Sequence, residues 1–423
     1  MLRVPYIRAH KAAVIAGLQK RHFRHLELID RVLEGDALRR KTQSELDRMA
    51  AKSNAYSREL GRLIQSGKQG AVESIRRKSA DLKADIKALQ AKLNDVQQAI
   101  HHILLQIPNI PHPSVKAGQS DADNEELSRH GSIPELGEGA LPHWELAPRY
   151  GLFDLKMGVK VAGSGFPVYR NQGARLQRIL IEYCLQKNIA AGYTEYFLPY
   201  FVNETSGYGT GQLPDKEGQM YQIERDGLYA IPTGEVSMMN CFREVILDEG
   251  ELPIKATAHT PCFRREAGSY GKGVRGLNRL HQFEKVEIVQ ITKPEYSDQA
   301  LDEMVAQVQR LIEDLELPYR ILRLCGRDMG FTTSMTYDFE VYAAAQKRWL
   351  EVSSVSNTTD FQTNRLRLRY RNSAGQTALC HALNGSALAL ARIYAALLEN
   401  NQTEQGIALP QALATFSGME FLK

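Results

Sequence analysis

The sequence predicts an α+β chain in two parts: an N-terminal antiparallel α-helical coiled-coil arm, then a body organised around an antiparallel β-hairpin. Two heptad seams joined by a Gly-bearing turn predict the arm. Two β-rich segments, Thr257 to Arg264 and Arg279 to Val289, flank a cationic, Gly-rich loop from Glu266 to Gly276 and predict the hairpin. No GxGxxG or P-loop stands between a strand and a helix, so the body is not read as a Rossmann fold.

Residues 1 to 35 read as a helical lead-in ending near Glu34-Gly35, after which Asp36 can N-cap a new helix. Leu46, Met49, Ser53, Tyr56, Leu60 and Leu63 then recur at alternating steps of three and four. Ser66 to Gly70 interrupts the pattern as a tight turn. Val72, Ile75, Ser79, Leu82, Ile86, Leu89, Leu93, Val96, Ile100 and Ile103 resume it, and at ~1.5 Å per residue the second helix would reach roughly 50 Å. Ile107 to Ser114 carries three prolines, which end the helix and mark a linker between residues 1–114 and 115–423.

The charge changes sign at that linker. Of 53 Lys and Arg and 49 Asp and Glu, 21 and 11 fall in residues 1–105, which leaves 32 and 38 beyond. A basic rod on an acidic body suggests a phosphate backbone as partner, with a solvated coiled-coil face as the alternative.

At 423 residues, 43% hydrophobic and 24% charged, the chain has the composition of a soluble protein of two or three domains. No apolar run approaches the ~18 residues of a spanning helix. The first 26 residues contain cations and no acid, yet no serine, and run straight into the next helical pattern; they read as a first helix rather than a transit peptide. Five scattered cysteines, without CxxC or zinc-like His spacing, predict free thiols, a reducing cytoplasmic setting and no structural zinc.

In the body, Gln172 to Lys187 reads as a helix and Thr194 to Val202 as an edge strand, because Pro199 removes a ladder donor. Tyr208 to Pro214 is a glycine-rich turn. Gln299 to Leu315 is an amphipathic helix, Tyr337–Val341 and Trp349–Ser354 alternate as strands, and Leu383 to Arg392 is a strand-to-helix junction. Around the hairpin loop stand Arg264, Arg265, Lys272, Arg275 and Arg279, with Glu266, Glu284 and Glu287 on or near the strands. Such guanidinium forks suit phosphates and carboxylates; charge alone favours a solvated hairpin instead.

FRREAGS followed by RLHQFEKVE resembles motif 2 of the class II aminoacyl-tRNA synthetases, in the form found in seryl-tRNA synthetases. The resemblance implies an antiparallel sheet flanked by helices as the catalytic domain. It also implies that Arg264 holds the ATP α-phosphate and the serine carboxylate, Glu266 meets the adenine amino group, Phe283 stacks on adenine, and Glu287 binds serine; Arg265 joins the ATP set. The helix and Pro-bearing strand resemble motif 1, which implies a homodimer. The Thr233-Gly234-Glu235 segment resembles the TxE serine loop, with Gly234 where alanine is usual, implying a freer loop. Glu351, Val352, Ser353 and Ser354 resemble the EISS segment, which implies ATP contacts and Mg²⁺ at Glu351 and Ser354. Leu383 to Arg392 resembles motif 3, which implies Arg392 at the γ-phosphate and Asn384 and Ser386 at serine. Ala387 and Ala391 replace its usual glycines, implying crowding of the nucleotide.

IPNIPHPSV and the N-terminal arm are similar to the same family. This implies that the long variable arm of serine tRNA lies along Arg39, Arg40, Arg48, Lys52, Arg58, Arg76, Arg77 and Lys78, read by shape; the family allows selenocysteine tRNA too. The implied reaction is ATP- and Mg²⁺-dependent activation of L-serine to seryl-adenylate and its transfer to the tRNA 3′ end, with Arg264 and Arg392 as catalytic groups. Two rivals stay open: a related ligase acting on a carrier protein or small molecule, against which the basic arm speaks, and a non-catalytic coiled-coil RNA-binding or scaffold protein.

Overall fold

A computed structural model describes residues 1–216, 218–266 and 274–423; Lys272 and the Ala267-Gly268-Ser269 part of the motif lie outside them. By packing the chain divides into two units, one of residues 1–19 and 23–108, the other of residues 20–22 and 109–423.

The first unit is helical. It comprises α1 (Val4–Ala9), α2 (Lys11–Lys20, whose last residue is counted in the second unit), α3 (Glu27–Gln65) and α4 (Gln69–Leu104). The seam residues from Leu46 to Leu63 and from Val72 to Ile103 are all buried or half-buried, while nearly every residue between them is exposed. That 3.5-residue alternation is what makes two helices of 39 and 36 residues pair along their length. Gly67, at φ 70°, supplies the left-handed turn between them that a side chain would oppose.

Asp36 corrects the expected N-cap. It lies inside α3, with its carboxylate buried and held by Arg8, Arg39 and Arg40 at 2.6, 2.9 and 3.1 Å. Gly35 carries no break, because its missing side chain makes room for Ile100: a Cβ would come within 2.8 Å of Ile100 Cγ1. Packing against α4 thus outweighs the weak helix propensity of Gly35.

The second unit is built on an eight-stranded sheet: β1 (Glu125–His130), β2 (Thr194–Glu195), β3 (Ile254–Phe263), β4 (Gln282–Thr292), β5 (Tyr319–Arg323), β6 (Met335–Ala343), β7 (Arg348–Thr359) and β8 (His381–Ala389). The spatial order is β1-β5-β6-β7-β8-β4-β3-β2, and only the β2–β3 edge pair is parallel. The expected strand through Pro199 is shorter: Thr194–Glu195 forms the edge, and Phe201–Asn203 pairs in a separate small sheet. Proline between them ends the first ladder for the reason given above. The Tyr208-to-Pro214 turn is also narrower than expected, since Glu204–Thr210 is helical and the chain reverses at Gly211, φ 88°.

Helices α5 (His143–Tyr150), α6 (Asn171–Ala190), α7 (Gly234–Asn240), α8 (Ser297–Asp314) and α9 (Leu390–Asn400) accompany the sheet. Leu176 and Leu180 of α6, Met304 and Val308 of α8, and Ile393 and Leu397 of α9 share a core with Val286, Ile288, Phe339 and Val355 of the strands. Each such side chain contributes about 1.5–3 kcal/mol. All five cysteines are free. Among the described residues no helix is both long and apolar enough to cross a membrane.

Candidate active site

Strand alternation builds the site. On β4, Phe283, Lys285 and Glu287 line one cavity, while Val286 and Ile288 point into the core. β4 pairs with β3 on one side and β8 on the other, where Glu287 stands opposite Ser386 and Val289 opposite Asn384. Residues about a hundred positions apart thereby meet. The cavity holds about 320 Å³ and is lined by Thr233, Glu235, Arg264, Glu266, Phe283, Glu287, Glu351, Val352, Ser353, Ser354, Asn384, Ser386 and Arg392, thirteen of the fourteen expected body residues.

Arg265 is the exception. It is exposed and lines a different cleft with Tyr208, Tyr221 and Tyr229. The reason is alternation again, since neighbours in extended chain point to opposite sides.

One cluster is a buried polar knot. Thr233 Oγ1 donates to Glu287 Oε2 at 3.0 Å and accepts from Lys285 Nζ at 2.9 Å, and Lys285 pairs with Glu287 at 2.6 Å. Glu235 Oε1 accepts from Asn384 Nδ2 at 2.8 Å and from Gln362 Nε2 at 2.5 Å. Burial, and next the charge of Glu287, push the Glu235 carboxyl up to about 7. Once Glu235 is ionised, two carboxylates facing one ammonium leave one negative charge to be matched, which is the electrostatic signature of a cation-accepting pocket.

Thr233 is also the N-cap of α7, its oxygen accepting from Glu235 N at 3.3 Å, and Gly234 is the first helical residue. A Cβ on Gly234 would lie 3.1 Å from Thr260 Oγ1 and 3.4 Å from Glu287 Cβ. The glycine therefore relieves crowding inside a capped helix, and the expected freer loop is corrected.

A second cluster carries the remaining cations. Arg264 Nε donates to Pro232 O at 3.3 Å, and its guanidinium lies 5.3 Å from the Phe283 ring. Arg279 Nη1 donates to Glu266 Oε2 at 2.6 Å. Arg392 donates to Glu351 O at 2.7 Å and Asn278 O at 3.0 Å. Ala391 lines the cavity, whereas Ala387 is fully buried in the core and absent from its wall, so the expected crowding by Ala387 does not arise.

Glu351 and the Ser354 hydroxyl offer hard oxygen donors on this wall. Opposite Ser354 stands Asp338, whose Oδ1 is buried without a partner and whose carboxyl is pushed up by burial and then by Glu351. An orphaned carboxyl oxygen beside Glu351 and Ser354, ionised only when a cation is there to match it, fits Mg²⁺. Among the described residues no group of three or more His, Cys, Asp or Glu could hold a metal unaided.

Lys285, Asn278, Gln212 and Gln362 also belong to the site and were not singled out in the sequence, whereas Arg279, expected only as a cation of the hairpin loop, lines the cavity too. Lys285 was legible as a cation two residues before Glu287 on a strand, hence on its face. Gln362 gave no local signal.

An eight-stranded, mostly antiparallel sheet with an arginine-walled cavity at its hairpin defines the class II aminoacyl-tRNA synthetase core, and the family description "tRNA synthetase class II core domain (G, H, P, S and T)" matches residues 220–401. The Seryl-tRNA synthetase N-terminal domain matches residues 1–111. A Serine–tRNA ligase of Salinibacter ruber is 46% identical over 99% of this chain and 98% of its own. A crystal structure of seryl-tRNA synthetase from Pyrococcus horikoshii complexed with ATP superposes with a TM-score of 0.92 at 30% identity, covering 100% of this chain and 99% of that one. The cytoplasmic Serine-tRNA ligase from Naegleria fowleri in complex with AMP gives 0.87 at 25%, covering 100% and 99%. The chain belongs to the seryl-tRNA synthetase family.

Proposed function

We propose a residue-level assignment for the reaction of this family. The chain activates serine with ATP and charges tRNA with it. The polar knot of Thr233, Glu235, Lys285, Glu287, Asn384 and Ser386 takes serine: Glu235 and Glu287 face its ammonium and hydroxyl, and Ser386 helps hold the hydroxyl. Arg264 takes the serine carboxylate and the ATP α-phosphate, Phe283 and Glu266 the adenine, and Arg392 the γ-phosphate.

No side chain acts as nucleophile. The serine carboxylate attacks the α-phosphorus and pyrophosphate leaves; a ribose hydroxyl of the tRNA end then attacks the mixed anhydride and AMP leaves. Arg264 and Arg392 position the reactants and neutralise charge gathering on phosphate oxygens. Glu351 and Ser354 would hold Mg²⁺, which when bound supplies further charge neutralisation at the phosphates.

The observation that carries this reading is the convergence of a cation-accepting knot and the Arg264–Phe283 pair in one cavity. A serine pocket built to hydrogen-bond a hydroxyl rejects alanine by as much as ~10⁴–10⁵. Amino-acid-dependent exchange of labelled pyrophosphate into ATP tests it: exchange with serine and none with alanine is expected, and exchange with alanine at a similar rate would overturn it.

Three further assignments belong to the same reading. The exposed cations of α3 and α4 take the variable arm of serine tRNA, and selenocysteine tRNA is a further acceptor. Phe197, 87% exposed beside half-exposed Phe201 and the β2 edge, supports a homodimer through this face. Five unpaired thiols support a cytoplasmic setting.

A further inference from the structure

His143 and Glu399 are both fully buried and are not part of the cavity wall. Four donors converge on the Glu399 carboxylate: His143 N and Nδ1 at 3.0 and 2.7 Å, and Gln346 Nε2 and N at 2.8 and 3.1 Å. A carboxylate accepts only, so Nδ1 carries the imidazole proton and Nε2 is left as an acceptor. Leu277 N–H donates to that Nε2 at 2.8 Å. By the same logic Gln346 spends its NH₂ on Glu399 and turns its Oε1 to Asn278 Nδ2, at 2.8 Å. Asn278 then offers its main-chain oxygen to Arg392 Nε at 3.0 Å.

The backbone approaches the imidazole so closely that only glycine fits at 276. Its φ is 70°, and a Cβ would lie 2.1 Å from His143 Nε2. Trp144, next to His143 on α5, holds Arg275 at 4.6 Å. Leu277, Asn278, Arg279 and Arg392 all line the cavity.

We propose that neutral His143, with Glu399 and Gln346, is a positioning device for the nucleotide side of the active site. The buried carboxylate fixes a tautomer and two amide orientations, and these in turn fix the Leu277–Arg279 strip and the Arg392 it holds. The proposal rests on the assignment of Arg392 to ATP made above. It predicts an effect on ATP without one on serine, whose assigned contacts, the knot around Glu287 and Arg264, lie outside the Leu277–Arg279 strip and Arg392.

The test compares His143→Gln, which keeps an acceptor near the Nε2 position, with His143→Asn, which keeps a donor to Glu399 and loses that acceptor. Binding of a non-hydrolysable ATP analogue is measured by calorimetry, and KM for ATP and for serine by pyrophosphate exchange. For His143→Asn the analogue Kd and the KM for ATP rise about tenfold, the size of one buried hydrogen bond. The KM for serine stays within about twofold, and His143→Gln stays near wild type. Gln346→Ala gives a smaller rise of the same kind and serves if His143→Asn does not fold. Equal effects of the two His143 variants, parallel rises for ATP and serine, or an unchanged analogue Kd in Gln346→Ala would each overturn the proposal. Wild-type protein that binds the analogue without serine-dependent exchange would instead count against the activity reading, and the calorimetric comparison would still decide the role of His143.

Discussion

The two units use basic side chains in opposite ways. In the second unit the site cations are pinned by partners: Lys285 is enclosed, 7% exposed and paired with Glu287, and the half-buried Arg264 and Arg392 are tied to backbone carbonyls. In the first unit Arg48, Lys52, Arg58, Arg76, Arg77 and Lys78 stand exposed along α3 and α4. Enclosed charges act at fixed points in a low dielectric and are little screened. Exposed ones act together on a polyanion, through counterion release, and weaken steeply with salt. Chemistry and tRNA recognition should therefore respond to different perturbations.

The largest effect belongs to Arg264→Ala. Removing a preorganised donor from the reacting centre costs on the order of 10²–10³ in rate, so serine-dependent pyrophosphate exchange should fall by about that factor while tRNA binding to the arm, followed by filter retention, is unchanged. Loss of both together would break the separation.

Next comes Glu287→Ala, which strands the buried Lys285 ammonium. Breaking a buried pair costs about 3–5 kcal/mol, so thermal unfolding should shift down sharply. The paired change Glu287→Gln with Lys285→Met should recover much of that stability and none of the serine-dependent exchange. Recovery of exchange would remove Glu287 from the serine site.

The pH response of the knot follows. Glu235 is pushed up to about 7 by burial and by Glu287. Below that pH the empty site is protonated there and cannot attract the serine ammonium; above it the carboxylate is available. The KM for serine should therefore rise about tenfold per pH unit below 7, with the KM for ATP flat. A serine KM flat from pH 8 to 5.5 would remove Glu235 from that role.

The arm was far more legible in the sequence than the site. Its seam needs only the 3.5-residue spacing of one continuous segment, and each position from Leu46 to Ile103 read off that spacing is buried or half-buried. Asp36 was misread because an acidic residue after glycine looks like a cap, and no local pattern tells that Arg8 reaches it from 28 positions away. The active site depends on register. Glu287 meets Ser386 because β4 and β8 pair with a bulge between Lys285 and Glu287, and nothing in either strand alone fixes that alignment. Motif resemblance supplied most of the wall. It supplied neither Gln362, which reaches Glu235 across 127 positions, nor the displacement of Arg265, which strand alternation alone would have foretold.

A smaller effect separates charges within the arm. Replacing Arg76, Arg77 and Lys78 together by Ala should raise the KM for tRNA roughly tenfold at moderate ionic strength and flatten its salt dependence, since each phosphate contact contributes to the slope. Exchange without tRNA should stay at the wild-type rate. A fall in exchange would mean that these cations support the catalytic unit rather than the nucleic acid.

The smallest effect is the most discriminating. Arg39 and Arg40 belong by sequence to the same basic face, yet both donate to buried Asp36. Burial alone would raise that carboxyl, but the hydrogen bonds from Arg39 and Arg8 outweigh it and hold it below its ordinary value. A depressed carboxyl contributes stability above its unfolded pKa and loses it as pH falls through the folded one. Arg39→Ala should therefore cost roughly 0.5–1 kcal/mol near neutral pH, a modest figure because the guanidinium is one-third exposed and screened, and the difference from wild type should vanish in strong acid. Its KM for tRNA should change less than that of Arg76→Ala, whose guanidinium stands exposed on α4. If Arg39→Ala instead weakens tRNA as much as Arg76→Ala and leaves unfolding unchanged, Asp36 does not engage Arg39, and the arm's cations form one population rather than two.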